Sequence, residues 1–238
     1  MNKIFMVLSF LLVSTVLADA SDSAFVSFVK GKVYVSSASK GKAKWKQIKK
    51  GDVINSGDTI KTGNGSMATL IYKESEFKIQ PNSDLVIESL YKKNTDGKVK
   101  VEKGSAWFKI KNLGGSKFFS NTPVSVAAVR GTAFATTYSP KEKRSMNCVC
   151  EGSVEIQGKE VIRKGTGGMV VGGKPEIGKT SYKDLISKIE NNGKTSVVAM
   201  PAFKDYVTKF PEMKSCLSCH TPKGWTWKGV AKDDKYGN

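Results

Sequence analysis

Between Ala24 and Val171 the chain is cut into short β-forming runs, and no stretch of that span sustains a helical period. Lys32-Val33-Tyr34-Val35 alternates polar and apolar residues. Ser66 to Tyr72, Asp84 to Tyr91, Lys98 to Glu102 and Ser105 to Ile110 are rich in β-branched and aromatic residues. Val124 to Val129, Thr132 to Tyr138 and Ser153 to Gln157 continue the series. Gly, Asn, Asp or Pro bounds each run, as in Gly63-Asn64-Gly65 and Asp96-Gly97. Asp-Gly between two such runs is a hairpin signal, because both residues tolerate the positive φ of a tight turn. Strands recurring about every 8–12 residues without helices between them predict a mainly β fold. The expected form is a multi-stranded antiparallel β sandwich or a short β-solenoid.

After Gly172-Gly173-Lys174-Pro175 the texture changes. Tyr182, Leu185, Ile186 and Ile189 fall at i, i+3, i+4 and i+7, the spacing of one apolar helical face. Thr180-Ser181 suits its start and Asn191-Asn192-Gly193 its end. A second short helix is predicted over Ala202 to Lys209, and Pro211 suits the first turn of a third. Residues 180–238 thus read as a small helical C-terminal appendage.

The β region also holds linked motifs in a fixed order. Gly31-Lys32-Val33-Tyr34-Val35 is followed by Trp45-Lys46-Gln47-Ile48, Gly51-Asp52-Val53-Ile54 and Gly57-Asp58-Thr59-Ile60. Ile79-Gln80-Pro81-Asn82-Ser83, Thr122-Pro123-Val124, Ala128-Val129-Arg130-Gly131-Thr132-Ala133-Phe134 and Glu151-Gly152-Ser153-Val154-Glu155 complete the set. Over residues 24–173 the chain resembles the FecR-type domain, the periplasmic module of ferric-citrate-type regulators. The resemblance implies an all-β periplasmic domain used for recognition and not for catalysis. In those regulators the module lies behind a transmembrane helix and signals to a sigma factor. No such helix is read here, so a stand-alone binding or scaffold role is what carries over. The Gly-Asp pairs are read as turns in which Gly supplies positive φ and Asp caps. Arg130-Gly131-Thr132 is read as structural, with Gly131 allowing a bulge or tight bend.

The chain opens with Met1-Asn2-Lys3, an apolar run from Ile4 to Leu17, and Ala18-Asp19-Ala20. This is the layout of a cleaved secretory signal peptide over residues 1–20. The run is about 14 residues, short of the ~20 that cross a bilayer. A periplasmic mature chain without a membrane span is expected.

The formal net charge is +18, nearly all from lysine; the arginines are Arg130, Arg144 and Arg163. Nucleic-acid readout favours arginine's planar fork, and an exported protein meets little nucleic acid. A solvated lysine surface is one reading. An acidic redox partner or an anionic cell-envelope polymer is the other.

Four cysteines and one histidine remain. Cys216-Leu217-Ser218-Cys219-His220 is the attachment pattern for haem c. Two thiols one helical turn apart reach the two vinyl groups, and the adjacent imidazole takes the iron. The single histidine sits at the one position this chemistry needs. Alternatives are a four-cysteine zinc site with Cys148 and Cys150, structural disulfides, or a bare CxxC redox pair. No methionine follows His220, so Met200 is the candidate distal iron ligand, with a lysine or an open site as the alternatives. Cys148 and Cys150 are expected on one face of a strand. Carboxylates are scattered and the lone histidine is taken, so no catalytic set is read and the chain is expected not to be an enzyme.

Overall fold

The computed structural model describes residues 23–37, 44–164, 167–171 and 174–177. The predicted signal peptide, the helical appendage, Met200 and the Cys216–His220 motif lie outside the described residues. Within them the protein is built from strands, in two layers that share one strand. The first layer orders β4 (Val53–Ile54), β1 (Ala24–Lys30), β6 (Met67–Tyr72), β7 (Ser75–Ile79) and the second half of β9 (Gly97–Lys109). It continues through β12 (Ala133–Ser139), β13 (Arg144–Glu151), β16 (Gly167–Val171) and β17 (Lys174–Ile177). The second layer orders β3 (Lys46–Gln47), β2 (Val33–Ser36), β5 (Thr59–Thr62), β8 (Asp84–Ser89) and the first half of β9. It ends with β10 (Phe118–Thr122), β11 (Ser125–Val129), β14 (Ser153–Ile156) and β15 (Glu160–Arg163). The pairings are antiparallel except β9 with β10, which is parallel. The mainly β, sandwich-like expectation therefore holds.

Alternation fills the space between the layers. Val26, Leu70, Phe77, Phe108, Phe134 and Val149 pair in register across the first layer. All six are buried. Phe118 faces them from the second layer, its ring centroid 5.6 Å from both Phe77 and Phe108. Each fully buried side chain of this kind stabilises the fold by about 2 kcal/mol through apolar area removed from water.

Two expected strands, Lys98 to Glu102 and Ser105 to Ile110, are one strand. β9 runs unbroken through Gly104, which has φ +80°. Lys103 pairs with β8 in the second layer, and Gly104 pairs with β12 in the first. A Cβ on Gly104 would lie 2.3 Å from Ser83 Oγ and 2.7 Å from the Asn82 carbonyl oxygen. Positive φ and close backbone approach both require glycine at the point where the strand changes layer.

Candidate functional site

β12 reads Ala133-Phe134-Ala135-Thr136-Thr137-Tyr138, with small or apolar residues at both parities. Phe134, Thr136 and Tyr138 point between the layers; Ser120 Oγ of β10 donates to Thr136 Oγ1 at 2.9 Å. Thr136 Oγ1 in turn donates to Asn147 Oδ1 at 2.8 Å. Ala135 and Thr137 therefore point outward, away from the second layer. Their register neighbours on that outer face are Trp107 and Ser105 on β9, and Cys148 and Met146 on β13. Met146 pairs with Met169 on β16.

An outward face of a two-layer fold is ordinarily wet. Here Trp107 and Met146 are 2% exposed, Ala135 and Cys148 4%, and Met169 7%. On the same face at β1, Phe25 is 56% exposed and Phe28 47%. The shielding is thus confined to the β9–β12–β13–β16 end. Thr137 Oγ1 donates to Ser105 Oγ at 2.8 Å. Lys78 Nζ stands 4.8 Å from the centroid of the Trp107 ring, a cation–π distance.

Cys148 carries a buried free thiol on this face. Ala133 pairs with Glu151 and Phe134 with Val149, so Cys150 is the extra residue of a β-bulge. The expectation that both cysteines share one face rests on simple alternation, and the bulge interrupts that alternation between them. Among the described residues no three of His, Cys, Asp and Glu gather as a metal site.

A cleft of about 370 Å³ opens beside Gly131. Gly131 has φ +74° and carries the chain from β11 in the second layer to β12 in the first. Thr132 Oγ1 donates to the Ser153 carbonyl at 3.0 Å, and the Thr132 carbonyl accepts from the Ile110 N–H at 2.9 Å. Arg130-Gly131-Thr132 is thus a tight bend pinned to its neighbours, as the sequence predicts. Glu74, Lys109, Lys111, Asn112, Thr132 and Glu151 line the cleft. Asn112 Nδ2 donates to Glu74 Oε1 at 2.9 Å. The lining thus brings carboxylates and ammonium groups together.

One wall is held from inside. The Lys111 N–H donates to Ser75 Oγ at 2.8 Å, and the Lys111 carbonyl accepts from Tyr91 Oη at 2.8 Å. Burial pushes the Tyr91 phenol above its ordinary 10.0; the Ser75 hydrogen bond opposes this, and the Glu74 charge adds to it.

The family model described as FecR protein matches residues 58–155, from the turn before β5 to β14. That stretch holds the Gly104 crossing, the Gly131 bend and most of the shielded face. Two crystal structures of a proposed anti-sigma factor from Parabacteroides distasonis ATCC 8503, at 1.65 and 2.50 Å, are similar in structure. Each has 15% sequence identity and a TM-score of 0.47. The likeness covers 66% of this chain and 74% of that one in the first case, and 65% and 73% in the second. No curated protein matches the sequence. Among the described residues no helix is long and apolar enough to cross a membrane.

The sequence reading of motifs missed the shielded outer face. A signal was present: β12 and β13 are near-continuous in small and apolar residues, the pattern of strands covered on both sides.

Proposed function

We propose that this is an exported, periplasmic, non-enzymatic protein in which a FecR-type β scaffold carries one covalent haem c. Cys216 and Cys219 form the thioethers, His220 takes the iron, and Met200 is the distal ligand. The role is electron transfer or haem-based sensing, with an acidic redox partner suited to the +18 chain. The observation that carries the reading is the single histidine of the chain, set directly after the second thiol of Cys216-x-x-Cys219. The FecR match over residues 58–155 supports a recognition or regulatory module over catalysis. Expression in a host with cytochrome c maturation, followed by a pyridine haemochrome spectrum, tests it. A c-type spectrum that survives acid–acetone extraction is expected; an extractable or absent haem sinks the reading.

The lysine-rich surface favours a second reading, a cell-envelope binding module whose cysteines are structural. It predicts retention on anionic envelope polymers that weakens as salt rises. Retention indifferent to salt would count against it.

A further inference from the structure

The outer face of the first layer has no described strand above it. All the described strands lie within the two layers, yet Trp107, Ala135, Thr137, Met146, Cys148 and Met169 are buried on the side away from the second layer. No described strand supplies this shielding. It fails at the β1 end, where Phe25 and Phe28 are exposed, and holds from Trp107 on β9 to Met169 on β16, while Val171, two residues further along β16, is 39% exposed. The chain leaves the described fold at Ile177, at the end of β17, the strand that pairs Glu176 with Met169. Sixty-one residues follow in the sequence, 178–238. They include the apolar set Tyr182, Leu185, Ile186 and Ile189. The leader side of the chain joins at Ala24, which pairs with Ile54 at the opposite border of the layer.

We infer that this face is the docking surface for residues 178–238, so that the segment bearing Cys216, Cys219 and His220 is held against β9, β12, β13 and β16. Ala135, Met146, Cys148 and Met169 make the centre of the patch uncharged and largely apolar, with Lys78 at its Trp107 edge and the Thr137 and Ser105 hydroxyls bonded to each other, a complement to an amphipathic helical face. Burying such a patch removes apolar area from water, which is the term that holds the segment down. The inference does not depend on haem.

The test uses the full chain with a protease site placed at residues 178–179 and cut under native conditions. Residues 178–238 are expected to co-elute with the β layers in gel filtration. Cys148, distinguished from the other cysteines by peptide mass mapping, is expected to alkylate slowly in the uncut and cut protein. Ala135→Arg, which sets a charge in the middle of the patch, is expected to release the segment and speed Cys148 alkylation at least tenfold. Met169→Lys is the second variant should Ala135→Arg fail to fold, and Val126→Arg on the opposite layer is the control that changes neither readout. Spontaneous separation after cutting, with a tenfold faster Cys148, also supports docking. Separation with Cys148 still shielded overturns it. So does a folded Ala135→Arg protein that keeps both the segment and the slow thiol. Shielding that appears only with concentration-dependent dimerisation overturns it too, and assigns the face to a second copy.

Discussion

Asp52 and Asp58 close the same turn twice. Asp52 Oδ2 accepts from the Lys49 N–H at 3.1 Å, and Asp58 Oδ2 from the Asn55 N–H at 2.8 Å. The preceding Gly51 and Gly57 have φ of 91° and 90°. Asp58 is buried and Asp52 only half-buried, so the two should not cost the same. Asp58→Ala is expected to lower stability by about 1–2 kcal/mol and Asp52→Ala by less than about 1 kcal/mol in urea unfolding, because the former removes a part-buried hydrogen bond and the latter an exposed one. Tyr91 adds a pH dependence. Its folded phenol holds its proton more tightly than the unfolded one, so its contribution is complete below pH ~10. That contribution is lost as pH rises through the folded value. Tyr91→Phe is expected to cost about 1 kcal/mol at neutral pH, for the lost hydrogen bond to the Lys111 carbonyl. Its stability should also fall less steeply above pH ~10. A variant with the parent's alkaline slope would show that Tyr91 is not the titrating group.

At the scale of elements, β9 ties the layers together. Gly104→Ala forces a Cβ onto Ser83 and the Asn82 carbonyl at positive φ, and is expected to cost about 3 kcal/mol, from left-handed strain and overpacking combined. Thermal unfolding measures it; an unchanged midpoint would mean β9 does not bend where it changes layer. The halves of β9 are legible in the sequence as alternating runs, but their union is not. A glycine between two runs signals a turn, and only the tertiary partners show that pairing continues through it. β10 was not legible for another reason. Its inward residues Ser120 and Thr122 are polar, and Ser120 is satisfied by Thr136 on the facing layer, a partner no local pattern reveals. The Gly-Asp turns and the Gly131 bend were legible, because backbone conformation there is set by the residue itself. The doubly covered face was legible only as composition, in the unbroken small and apolar run of β12.

At the scale of the molecule, the described residues form a two-layer β scaffold in a strongly basic chain whose sequence carries a cysteine-histidine motif near its end. The scaffold explains how such a chain presents surfaces: a mixed-charge cleft beside Gly131 on one side, and an apolar outer face around Ala135 and Met146. In the proposed function the Cys216–His220 motif supplies the chemistry and the β scaffold the surfaces. The intact mass of the denatured protein, made with the haem-attachment apparatus present, tests this most directly. One haem added to the parent chain is expected, lost in the Cys216→Ala, Cys219→Ala double variant. A parent chain at its bare polypeptide mass under those conditions would contradict the account.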